Sequence, residues 1–133
     1  MHLADKLLIN FIFDHYSWII NYPFKALKMK EISVEELKQK IDNKEDFQLI
    51  DVRETFEYDT SNLNGENIPL GGILIEVEKI ATDKPVIMQC RSGKRSAAAV
   101  MQLEQLHGFT NLYNLKGGIL AWQAAFDPSM PVY

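Results

Sequence analysis

The sequence predicts an α/β domain, with a mostly parallel sheet flanked by helices on both faces. Three observations carry that expectation. From Lys30 onward short apolar runs alternate with helix-like runs, the pattern of strands joined by helical crossovers. Pro85-Val86-Ile87-Met88-Gln89 is apolar almost throughout, as suits a central strand covered on both faces. The only cysteine, Cys90, directly follows that run, and a helix-like stretch begins six residues later at Ser96. Ligands in such folds gather beyond the carboxyl ends of the strands, where Cys90 falls.

The elements follow in order. Glu31-Ile32 is a short strand. Ser33-Val34-Glu35-Glu36 is a capping box, and its helix runs to about Ile41 before Asp42-Asn43-Lys44 ends it. Phe47 to Val52 is a strand, Glu54 to Tyr58 a helical turn, and Asn67-Ile68 a brief strand before Pro69. Ile73 to Ile80 is predicted helical. Ser96 to Leu106 has helical propensity and one face to bury, and Gly108 supplies a left-handed cap. Thr110 to Tyr113 is a strand, Gly117-Gly118 a tight turn, and Ile119 to Ala125 a final helix. One domain is expected over residues 29–133, preceded by an apolar extension over 1–28.

Within that extension, Leu8, Phe11, Ile12, His15, Trp18, Ile19 and Tyr22 recur at helical spacing, and Pro23 ends the pattern. A helix packed on the domain is the expectation, with a membrane-surface or partner-docking helix as the alternative. Asp14-His15 interrupts the stretch, which argues against a transmembrane span. The absence of a basic start and of a small-residue cleavage site argues against a signal peptide. Met29 is a second possible start of translation.

Bulk composition narrows the function. The chain has 133 residues, 47% hydrophobic and 24% charged, and a net charge of −4. No basic face offsets the acidic balance, so nucleic acid is not an expected partner. One cysteine excludes an internal disulfide, and no cluster has zinc-ligand spacing. No metal and no cofactor are expected. A reduced thiol and the lack of a clean export signal point to the cytoplasm.

Cys90-Arg91-Ser92-Gly93-Lys94-Arg95-Ser96 carries the chemistry. An isolated cysteine is by default a small buried hydrophobe, but a core position has no use for three cations within five residues. A strand, a tight loop and a helix start make an anion cradle, because the first backbone N–H groups of a helix lack intrahelical partners. Such a cradle favours the nucleophilic thiolate. Arg91, Lys94 and Arg95 are candidates to hold an anionic substrate. Gly93 permits a sharp turn, and Ser96 is expected to cap the helix. Asp51, Arg53 and Glu57 lie near one another in sequence; a structural salt bridge of Arg53 with a carboxylate is the expectation.

These residues also carry a resemblance. Leu49-Ile50-Asp51-Val52-Arg53-Glu54 with Phe56-Glu57-Tyr58, then Asn67-Ile68-Pro69-Leu70, then Cys90 to Ser96, then Asn114-Leu115-Lys116-Gly117-Gly118-Ile119-Leu120-Ala121-Trp122, occur in the order seen in rhodanese-like sulfurtransferase domains. The stretch from Met29 to Trp122 resembles that family. The resemblance implies a five-stranded parallel sheet and a persulfide formed on Cys90. It implies transfer of a sulfane sulfur from thiosulfate or a similar donor to cyanide, a thiol or a protein acceptor, with Arg91 to Ser96 as the binding loop. Ser61-Asn62-Leu63-Asn64-Gly65-Glu66 departs from the Gly-His-Ile stretch common there. That variant is similar to rhodanese domains fused to enzymes that activate ubiquitin-like sulfur carriers, which tilts the acceptor towards a sulfur relay. Three other readings compete: a persulfide carrier loaded by a partner, a non-catalytic interaction module, and a cysteine phosphatase. Phosphatase loops place one residue more between cysteine and arginine than the four found between Cys90 and Arg95.

Overall fold

A computed structural model describes residues 28–133. The extension predicted as a helix therefore lies outside the described residues but for Lys28. Five strands form one sheet: β1 (Glu31–Ile32), β2 (Gln48–Asp51), β3 (Glu66–Asn67), β4 (Val86–Gln89) and β5 (Leu112–Leu115). Among the described residues four helices accompany them: α1 (Val34–Asp42), α2 (Thr55–Thr60), α3 (Lys94–His107) and α4 (Gly118–Phe126). The sheet order is β1-β5-β4-β2-β3, and every pairing is parallel.

Strand alternation builds two cores. In β2, Leu49 faces one side and Ile50 the other; in β4, Ile87 joins the Leu49 side while Val86 and Met88 join the Ile50 side. The register opposes Leu49 to Ile87 and Ile50 to Met88. One core is closed by Ala99, Val100 and Leu103 of α3, the other by Val34 and Leu37 of α1 with Ile119 of α4. Helices thus cover both faces, as the apolar β4 requires.

The capping box forms as expected: the Ser33 hydroxyl accepts from the Glu36 N–H, and the Glu36 carboxylate accepts from the Ser33 N–H. Gly108 closes α3 at φ +69°. Three expectations are corrected. Ile73 to Ile80 is not an α-helix: a 3₁₀ turn over Leu70–Gly72 precedes it, residues 73–75 form a turn, and a second 3₁₀ turn covers Val77–Lys79. Ile73, Val77 and Ile80 sit at helical spacing and all pack on the α3 core, yet Glu76 leaves helical geometry at φ −102°, ψ 28°. Tight turns bury those anchors without a continuous helix. Strand β5 lies two residues later than Thr110 to Tyr113, because Leu112, Asn114 and Leu115 are the buried positions. Helix α3 starts at Lys94 with Gly93 as its N-cap at φ +99°, so Ser96 lies inside the first turn and is not the cap.

The chain after α4 runs back towards the carboxyl end of the sheet. Met130 and Val132 pack against the α1/α4 core. The Ser61 hydroxyl donates to the Pro131 carbonyl, and Tyr133 meets Phe56 edge-on with ring centroids 5.5 Å apart. No helix among the described residues is long and apolar enough to cross a membrane.

Candidate active site

Cys90 sits at the carboxyl end of β4, the middle strand of the sheet, and its residue is only 1% exposed. The loop after it turns back so that the Gly93 N–H donates to Cys90 Sγ at 3.1 Å. A left-handed Gly93 makes this possible. Helix α3, fourteen residues long, then aims its N-terminus at the loop. The Ser96 hydroxyl lies 3.3 Å from the same sulfur and donates to Asn114 Oδ1. Asn114 Nδ2 in turn donates to the Gly93 carbonyl at 3.1 Å. Asn114 therefore ties both sides of the loop to β5.

Helix α4 holds the loop from behind. The Ile119 and Leu120 N–H groups donate to the carbonyls of Cys90 and Arg91 at 2.9 and 3.1 Å. This contact needs glycine at the helix start. A Cβ at Gly118 would stand 2.4 Å from the Cys90 oxygen and 2.5 Å from the Arg91 oxygen. Gly117-Gly118 is thus more than the expected turn; it sets the distance between α4 and the cysteine loop. Gln89, buried beside the cysteine, donates from Nε2 to the Cys90 carbonyl.

The charged residues divide into two pairs. Arg53 and Asp51, each 1% exposed, form a buried ion pair at 2.7 Å. Arg53 also donates to the Glu57 and Ser61 carbonyls, and the Arg53 N–H donates to Asp51. That network fastens the chain after β2 and satisfies the buried charges. Arg95 forms the second pair, a two-pronged contact with Glu57 at 2.7 and 2.8 Å. These hydrogen bonds hold the Glu57 carboxyl at about 2, well below its ordinary 4.5, against burial, which pushes it up. The Glu54 N–H and the nearby Arg53 charge lower it further. Glu57 holds the Arg95 proton more firmly than usual, and a negative charge on Cys90 adds to that hold.

The structure thus brings Cys90, Gly93 and Ser96 together, while Arg95, in the first turn of α3, is turned onto Glu57. Arg91, Ser92 and Lys94 are exposed on the loop. Arg91 Nε donates to the Tyr133 carbonyl, and Lys94 makes no ion pair among the described residues. Asn114 was absent from the expected site residues. Its signal was a polar residue inside the apolar run Leu112-Tyr113-Asn114-Leu115. Trp122 lies on the α1/α4 core against Phe126, 4.9 Å between ring centroids. No group of three or more histidine, cysteine or acidic residues among those described is placed to hold a metal ion.

An all-parallel α/β sheet whose middle strand delivers a cysteine to a loop that turns the Gly93 N–H onto its sulfur defines a protein organised around one thiol. The chain belongs to the family described as Rhodanese-like domain, whose profile matches residues 33–125. That family holds sulfurtransferases and sulfur carriers. YqhL of Bacillus subtilis (strain 168) is 37% identical over 105 residues, covering 78% of this chain and 80% of its own. A sulfurtransferase of Allochromatium vinosum is 36% identical over 95 residues, covering 71% and 88%. The adenylyltransferase and sulfurtransferase MOCS3 of Drosophila sechellia is 37% identical over 112 residues, and the chain spans only 24% of its length. The crystal structure of a rhodanese-related protein from Thermoplasma volcanium superposes with a TM-score of 0.62 at 32% identity, covering 78% of this chain and 97% of that one.

Proposed function

We propose that this protein is a sulfurtransferase that moves a sulfane sulfur from thiosulfate or a similar anionic donor to a thiophilic acceptor through a persulfide on Cys90. One observation carries the reading: the Gly93 N–H points at Cys90 Sγ from 3.1 Å, at the start of a long helix. The Cys90 thiolate attacks the outer sulfur of thiosulfate. The S–S bond of the donor breaks, and sulfite leaves with its electron pair. The terminal sulfur anion of the persulfide then lies within the loop N–H groups from Arg91 to Ser96, a preorganised anion site. Cyanide, a thiol or a protein acceptor attacks that sulfur and regenerates the thiolate. No second cysteine is present to resolve the persulfide, so sulfur leaves to an external acceptor.

A protein acceptor in a sulfur relay is the second reading. Phe56 and Tyr133, 60% and 66% exposed, place apolar surface beside the Arg91 loop, more than cyanide needs. The thiol chemistry fits a reducing compartment, the cytoplasm.

The test is mass spectrometry of the protein after incubation with thiosulfate, beside Cys90→Ser. The reading expects a gain of one sulfur on Cys90, removed by cyanide and missing in the variant. Loading that persists in Cys90→Ser, or turnover of aryl phosphates in its place, would overturn it.

A further inference from the structure

We infer that Glu57 sets the charge of the sulfur donor this site accepts: by pairing with Arg95 it restrains use of dianionic donors and favours donors of lower charge. The inference rests on the persulfide reading of Cys90.

The sequence places three cations around the loop, which suits a dianion. The structure divides them. Both Nη atoms of Arg95 are taken by the two carboxylate oxygens of Glu57. The Glu57 side chain is 8% exposed, so water dilutes its charge little. It is also held from the other side, where its Oε2 accepts from the Glu54 N–H at 2.9 Å. The other buried acid nearby, Asp51, is paired with Arg53, so Glu57 is the carboxylate in direct contact with Arg95. Arg95, in the first turn of α3 directly after the cysteine loop, is thus matched by a fixed anion. Arg91 and Lys94 remain, both exposed to solvent and its counterions.

A carboxylate placed this way discriminates by donor charge. Thiosulfate approaches with two negative charges, and an alkanethiosulfonate with one. The chemistry at sulfur is the same for both. The Cys90 thiolate bonds to the outer sulfur, the donor S–S bond breaks, and sulfite or the alkanesulfinate departs with the electron pair. Only the charge brought to the mouth differs.

Glu57→Gln removes the anion while its amide oxygen can still accept from Glu54. At low salt, KM for thiosulfate is expected to fall about three- to tenfold, a modest case of electrostatic steering. KM for methanethiosulfonate should fall by about the square root of that factor, since the donor carries half the charge. Arg95→Gln leaves Glu57 unopposed and should raise both KM values, thiosulfate again the more. A merely structural role for the pair would move both donors equally. Equal changes for the two donors, or an unchanged or raised KM for thiosulfate in folded Glu57→Gln, would overturn the inference. Should Glu57→Gln fail to fold, Glu57→Gln placed on Arg95→Gln decides: a KM for thiosulfate no lower than in Arg95→Gln overturns the inference, and a fall larger for thiosulfate than for methanethiosulfonate supports it. Sulfur loading of the wild-type protein by either donor tests the parent reading separately. Loading without the charge dependence removes only the role given to Glu57.

Discussion

Replacing Gly118 with alanine should damage both stability and sulfur transfer, and the structure gives the size of the effect. The added Cβ would lie 2.4 Å from the Cys90 oxygen, 2.5 Å from the Arg91 oxygen and 2.6 Å from the Arg91 carbonyl carbon. All three are backbone atoms, so no side-chain rotation relieves the contact. Gly118 also sits at φ +59°, where an alanine costs about 1–2 kcal/mol. Forcing the packed loop apart adds about 1–3 kcal/mol. The total, about 2–5 kcal/mol, is a large part of the stability of a domain this size. A loss of about 3 kcal/mol would lower Tm by roughly 10 °C. The same displacement strikes the site, since the Ile119 and Leu120 N–H groups hold the Cys90 and Arg91 carbonyls. A shift near 1 Å there is expected to reduce thiosulfate-to-cyanide transfer about 100-fold. Gly71→Ala is the control, because a Cβ at Gly71 meets nothing within 4 Å. Its Tm and turnover should match wild type. A Gly118→Ala protein with wild-type Tm and turnover would refute the reasoning that α4 sets the position of the cysteine loop.

Two further predictions follow from the same site. Asn114→Ala strands the Gly93 carbonyl and frees the Ser96 hydroxyl, so thermal unfolding should show a loss of about 1–3 kcal/mol, with lower kcat for sulfur transfer. Glu57 titrates at about 2 when folded and near 4.5 otherwise, so the stability it contributes is complete above 4.5 and lost as pH falls towards 2. Urea unfolding across that window should show a steeper acid loss in wild type than in Glu57→Gln.

Much of this architecture is legible from local pattern. The Ser33–Glu36 cap, the apolar β4 and the Gly108 stop each follow from chemistry within a few residues. The cysteine loop is legible for the same reason. What escapes local pattern depends on partners far along the chain. Glu57 and Arg95 are 38 residues apart, and nothing near either one shows that they neutralise each other. Asn114 reaches Gly93 across 21 residues through neighbouring strands. Ser96 misled in a different way: serine before an apolar helical run reads as a cap. Gly93 in a left-handed conformation starts the helix earlier and turns that hydroxyl inward to the sulfur. The Ile73–Ile80 segment failed because helical spacing of buried residues also arises from successive tight turns.

The course of the last residues has a practical bearing on how the protein is handled. Tyr133 touches Phe56, and its carbonyl accepts from Arg91 at the lip of the cysteine loop. A bulky label on the Tyr133 ring would stand beside Phe56 and the Arg91 loop and crowd that lip. Chemistry is better anchored at a remote site such as Lys44, exposed in the turn after α1, leaving the carboxyl edge of the sheet open to whatever partner delivers or collects sulfur.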